Sequence, residues 1–171
     1  MKKIFSIVLL TALFSLSAMA QKFAFVDTDY ILNNIPSYKA AQDQINKLSA
    51  DWQKEVEAKY TEIDKLYKAY QSEKVLLSEE MKSKREDEIV KKEQEAKDLQ
   101  KKYFGTEGSL YKKRQELVKP IQDEIYNAVK EISSEQGYAV IFDTAAGGGM
   151  LYTNPKNDKS DEVLQRLGYK N

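Results

Sequence analysis

From Tyr38 onward the apolar residues recur in steps of three and four: Tyr38, Ala41, Ile45, Leu48, Trp52, Val56, Tyr60, Ile63, Leu66 or Tyr67, and Tyr70. That spacing predicts a long helix with one narrow, seam-like apolar stripe. The residues between are rich in Lys, Glu, Gln and Ala, all good helix formers, and no Pro intervenes before Pro120. A helix with so thin a stripe needs one partner and stays wet elsewhere. The run Val75-Leu76-Leu77-Ser78-Glu79-Glu80 interrupts the pattern. Ser78 is suited to cap a new helix, with Glu79 and Glu80 at its positive end. A second stripe follows at Met81, Ile89, Ala96, Leu99, Tyr103, Leu110 and Leu117. A tight turn near Ser78 therefore folds the two helices into an antiparallel hairpin, in preference to one unbroken rod. Forty helical residues span about 60 Å, so the pair should form an arm.

Pairing about that turn sets Leu48 near Gly108 and Trp52 near Phe104. Gly105 and Gly108 then interrupt the returning helix, since glycine costs ~1 kcal/mol in a helix interior. Together with Pro120, which should kink the chain at the base of the arm, they are the candidate hinges.

Short apolar segments flank this arm. Phe23 to Val26 reads as a strand ended by Asp27-Thr28-Asp29, and Tyr30 to Asn34 as a helical turn. Ser37 is a plausible helix N-cap. After Pro120, Ile121, Ile125, Ala128, Val129 and Ile132 predict an amphipathic helix stopped by Gly137. Tyr138 to Phe142 is a strand by its β-branched and aromatic content, and Met150-Leu151-Tyr152 reads as another. Ser160-Asp161-Glu162 caps a last helix, Val163 to Leu167, with Gly168 as its stop. The expected core of this body includes Phe23, Phe25, Val26, Ile31, Leu32, Ile132, Val140, Ile141, Phe142, Leu151 and Leu164. A body of about 70 residues with short strands buries little surface and leaves open edges, so it should oligomerise. The fold class is α+β: a small oligomerising β-body (residues 21–37 and 119–171) carrying a long antiparallel α-hairpin (38–118).

The start of the chain has a separate character. Met1-Lys2-Lys3 is a basic n-region, Ile4 to Leu16 an apolar core, and Ser17-Ala18-Met19-Ala20 a small-residue cleavage pattern. Residues 1–20 are read as a secretory signal removed after Ala20. No Cys follows that site to carry a lipid anchor.

Composition narrows the chemistry. There is no Cys and no His, so the usual zinc ligands and an imidazole base are missing. Lys and Arg number 27 against 27 Asp and Glu, and residues 38–118 alone carry 18 against 17. This balance gives no reason to expect nucleic acid, and makes lipid contact doubtful. Gly147-Gly148-Gly149 lacks the Lys-Ser/Thr of a phosphate loop and reads as a flexible turn. Asp27, Asp29 and Asp143 follow strands, where turn and capping duties account for each without a metal. No catalytic constellation, cofactor or metal site is expected, and the chain is not read as an enzyme.

Taken in order, the strand Phe23-Ala24-Phe25-Val26-Asp27, the two charged helical arms, Ile121 to Lys130, the strand Gln136 to Asp143 and the closing Ser160-Asp161-Glu162-Val163-Leu164 resemble the Skp/OmpH-like periplasmic chaperones. The resemblance covers essentially the whole chain after residue 20. It implies a jellyfish-like homotrimer whose β-body joins the subunits. It also implies ATP-independent holding of unfolded outer-membrane or envelope proteins between the arms. Phe23, Phe25, Val26, Tyr138, Val140, Phe142, Met150 and Tyr152 would then belong to the body and its interface. A holdase needs many weak apolar contacts. The candidates lie near the arm tip: Tyr60, Tyr67, Tyr70, Val75, Leu76, Leu77 and Met81. The alternative is a structural envelope adaptor or spacer, using the coiled-coil arm to bind one folded partner.

Overall fold

The computed structural model describes residues 22–147 and 149–169. The signal-like segment 1–20 lies outside them. The chain divides into two units, Leu32–Ile125 and the residues up to Ile31 with those from Tyr126 on.

The first unit is a helical hairpin. Helix α1 (Thr28–Asn33) leads into α2 (Pro36–Glu73), a single helix of 38 residues. Its N-cap is Ile35, not the expected Ser37, because Pro36 occupies the first helical position, where its missing N–H costs nothing. One turn of 3₁₀ helix at Lys74–Leu76 ends it. The chain then reverses into α3 (Glu79–Phe104). The Ser78 hydroxyl accepts the Met81 N–H at 3.3 Å, and Glu79 and Glu80 fill the first turn. The helix stops at Gly105, and α4 (Ser109–Gln136) begins after Gly108. Helix α4 runs through Pro120 without ending, so the helix expected to start at Ile121 begins 12 residues earlier.

The hairpin seam consists of two apolar clusters. Ile63, Tyr70, Ile89 and Ala96 form one, with Leu66 and Leu77 packed against it. Ala41, Ile45 and Val118 form the other, flanked by Tyr38, Leu110 and Leu117. All but Val118 and Leu77 are residues of the predicted stripes.

The second unit is built on two parallel strands, β1 (Lys22–Val26) and β2 (Tyr138–Asp143). Phe23 pairs with Val140, Ala24 with Ile141 and Phe25 with Phe142. Helix α4 ends at Gly137, whose φ of 69° suits glycine and lets the chain turn into β2. A final helix α5 (Ser160–Arg166) closes the unit. Ala24, Val26, Ile31, Ala128, Ile132, Val163 and Leu164 are buried. Arg166 joins α5 to α4 through Glu131 (3.2 Å) and Glu135, and holds the Glu135 carboxyl below the usual range.

The chain after β2 is tied back to β1 and the turn that follows it. The buried Ser160 hydroxyl accepts the Asp27 N–H at 2.8 Å and donates to Asp158 Oδ1 at 2.6 Å. The Lys159 N–H reaches the Phe25 carbonyl at 2.8 Å, against the outer side of β1. Asp27 Oδ1 caps α1 through the Tyr30 N–H, and Asp143 accepts both the N–H and the hydroxyl of Thr28. Two of the three post-strand carboxylates are thus engaged in capping and turn contacts.

Two expectations fail here. Met150-Leu151-Tyr152 is not a strand: it is irregular chain with no ladder partner among the described residues, and the free side of β1 is flanked by the Asp158–Lys159 segment. Ser160 is the first residue of α5 instead of its cap, since Lys159 holds the cap position.

Candidate functional surfaces

The hairpin tip carries exposed aliphatic groups. The 3₁₀ turn is too short to fold its side chains back onto the seam, so Val75 and Leu76 stand 90% and 87% exposed. Met81, one turn into α3, is half exposed. Leu77 turns the other way and packs on the Ile63–Tyr70 cluster. The structure therefore divides the seven candidates of the arm. Val75, Leu76, Met81, Tyr60 and Tyr67 face solvent, whereas Tyr70, only 4% exposed, is a seam residue.

The tyrosines also connect the two helices. Tyr70 donates its hydroxyl to Glu86 on α3 in a short hydrogen bond. The Glu86 carboxylate favours the protonated phenol and pushes Tyr70 up to about 12, with desolvation adding to it. Tyr103 donates to Glu55 on α2 at 2.6 Å, which raises its pKa for the same reason. Tyr60 reaches Gln100 at 3.4 Å. Ion pairs Glu62–Lys92 (3.3 Å) and Glu73–Arg85 (3.5 Å) cross the hairpin on its surface, where screening leaves them little strength.

At the predicted interruption, Gly105 and Gly108 do separate two helices. A Cβ on Gly105 would lie 2.4 Å from the Lys101 carbonyl oxygen, and one on Gly108 2.7 Å from that of Tyr103. Both obstacles are backbone, so the close turn requires both glycines. Trp52 lies against Tyr103, one residue from the predicted pairing with Phe104, with rings parallel to 6° and centroids 4.9 Å apart. Pro120, the third predicted hinge, lies inside continuous helix.

The second surface is the face of the sheet. Side chains alternate along a strand, so the burial of Ala24 and Val26 sends Phe23 and Phe25 to the opposite side. Val140 and Phe142 join them by register. Phe25 stacks on Phe142 at 5.8 Å and meets Phe23 edge-on at 5.9 Å. Phe23, Val140 and Phe142 are nonetheless about half exposed, so they are not the core residues expected. Met150 and Tyr152 are exposed, and Leu151, also expected in the core, is 102% exposed. Val26 is buried and lies off this face. Tyr138 is partly covered, with the Lys159 ammonium 5.6 Å from its ring centroid. The far edge of β2 pairs with no strand among the described residues.

Sequence reasoning missed exposed Tyr126 and Val90. Their signal was phase: each directly follows a buried stripe residue, Ile125 or Ile89, and so points off the stripe.

No group of three or more carboxylates able to hold a metal occurs among the described residues. Nor is any helix among them long and apolar enough to cross a membrane.

A family model described as "Outer membrane protein (OmpH-like)" matches residues 22–167. An uncharacterised protein of Aquifex aeolicus (strain VF5) is 30% identical over 167 residues, 98% of this chain and 96% of that protein. Among solved structures, a Caulobacter crescentus CB15 protein described as a candidate outer membrane chaperone (OmpH-like) superposes with a TM-score of 0.66. It is 14% identical, and the match covers 88% of this chain and 86% of the other.

Proposed function

The chain belongs to the OmpH-like family, and from that premise we propose that it is an ATP-independent holdase. It binds unfolded outer-membrane or envelope proteins in the periplasm and keeps them from aggregating. The carrying observation is the hairpin tip, where Val75, Leu76 and Met81 expose apolar surface without enclosing a pocket. Each such side chain buried against a client contributes about 1 kcal/mol, at ~25 cal/mol per Å². Several together retain an unfolded chain, and each contact breaks easily. Tyr60 and Tyr67 extend the surface with groups that are apolar on the ring and polar at the tip.

In this reading the sheet unit joins copies of the chain into a trimer. The aromatic face of Phe23, Phe25 and Phe142, the unpaired edge of β2 and the exposed Met150–Tyr152 segment support that role. Apolar faces and open edges of this kind attract a partner. The work is binding, with no catalytic step. The many charged side chains of residues 38–118 keep the arms wet, and their near-equal balance, 18 basic against 17 acidic, argues against anionic lipid as the main ligand.

The test replaces residues 58–97 with a short turn. The shortened protein should keep its oligomeric mass and lose the ability to prevent aggregation of a urea-unfolded β-barrel protein. Full suppression by the shortened protein would show that the hairpin is not the gripping element.

A further inference from the structure

The three long helices are not held equally. Helix α2 buries Ala41, Ile45, Val56, Ile63 and Tyr70, whereas α3, with 26 residues, buries only Ile89 and Ala96. The remaining links from α3 to α2 lie mostly at the surface: Tyr–carboxylate and Tyr–amide hydrogen bonds and two exposed ion pairs. Groups of this kind exchange readily with water. Both ends of α3 are also interruptions. The 3₁₀ turn and Leu77 precede it, and the Gly105–Gly108 break follows it. The chain can therefore redirect at either end without unwinding a helix.

One structure fastens the C-terminal end of α3. Tyr103, in its last turn, stacks on Trp52 of α2 and donates its hydroxyl to Glu55, one turn further along α2. Trp52 lies in sequence between the residues that α2 contributes to the two apolar clusters, Ile45 on one side and Ile63 on the other. The clasp thus occupies the gap in the seam, beside the glycine break.

We propose that α3 is a hinged lid over a concealed apolar strip of α2, and that the Trp52–Tyr103 stack is its latch. Opening uncovers Val56, Ile63, Leu66 and Tyr70, a strip about 20 Å long at 1.5 Å per residue. Its occupant when open is an apolar segment of non-native polypeptide. That last clause rests on the holdase reading; the lid itself does not. The chemistry favours such an occupant because α3 offers the strip few buried aliphatic groups. A segment richer in Leu, Ile, Val or Phe competes on better terms, and a hydrophilic or folded surface does not.

Hydrogen–deuterium exchange on the full chain tests this, with peptides from α2 and α3 followed separately. In the wild type, residues 86–101 should exchange faster than residues 56–70, because α3, broken at both ends, frays once it leaves α2, whereas 56–70 continue as unbroken helix into the Ala41–Ile45 seam. Trp52→Ala should accelerate residues 86–101 by about three- to tenfold, the size of a lost aromatic pair, and change residues 56–70 less. Tyr103→Phe keeps the stack and loses only the Glu55 bond, so its effect should be smaller and in the same direction. It also decides the matter if Trp52→Ala does not fold. Equal exchange of α2 and α3, or equal acceleration of both, would overturn the lid. Addition of a urea-unfolded β-barrel protein should then speed exchange in 86–101 and slow it in 56–70. If aggregation is suppressed while neither segment changes, the strip is not where the client binds. If aggregation is not suppressed at all, the holdase reading and the assigned occupant fail together, and the comparison of variants still decides the lid.

Discussion

At the scale of single residues, two side chains have measurable consequences. Ser160 is the buried acceptor for the Asp27 N–H and sits between Asp27 and Asp158. Ser160→Ala leaves that donor unsatisfied and should cost about 1–3 kcal/mol in urea unfolding. Tyr70 gives a pH signature. Its folded pKa is raised to about 12 by the bond to Glu86. A raised value means the protonated phenol is favoured in the fold. This contribution is complete below the ordinary tyrosine value of about 10, and is lost as pH climbs from there through 12. Spectroscopic titration should find a phenol ionising near pH 12, and Tyr70→Phe should remove it. The same substitution should flatten the fall in thermal stability between pH 10 and 12. Neither residue's role could be read from the chain. Tyr70 was visible as a stripe position, but a stripe does not say which tyrosine meets a carboxylate. Ser160 looked like a helix cap, and its partner lies 133 residues away.

At the scale of elements, the caps and breaks carry the predictions. Ser78→Ala removes the hydroxyl that accepts the Met81 N–H and should lower stability by about 1 kcal/mol. Gly105→Ala forces a methyl against the Lys101 carbonyl and should cost about 1–3 kcal/mol in the same assay. The hairpin was legible because its physics is local. A narrow stripe admits one partner, and Ser78 with two glutamates marks where the stripe restarts. The glycine break was legible for the same reason. What failed depends on neighbours. Phe23, Phe25, Val140 and Phe142 lie in continuous apolar runs, and such runs do not reveal which face is covered. Ala24 and Val26 took the inner side of β1, and the aromatic rings were left outside. Met150 to Tyr152 has strand composition, but a strand exists only with a partner, and the described residues supply none.

At the scale of the whole molecule, the sheet face predicts self-association. Phe142→Asp puts a charge into the exposed stack of Phe25 and Phe142, which should reduce native mass to that of a single chain while helix content by circular dichroism is kept. The family match over residues 22–167 accounts for the fold class. The parallel pairing has a further consequence, in time. Residues 22–26 take their ladder partners from residues 138–143 and a further bridge from Asp158, so this strand must wait for more than a hundred residues before it finds its mate. Helices form from near neighbours within microseconds, but this closure carries the entropy of the entire intervening loop. During refolding, helical signal should recover first and protection of the β1 amides last. A newly made chain therefore spends its first moments with the aromatic strand β1 unmated, which makes this segment the natural place for misassembly to begin.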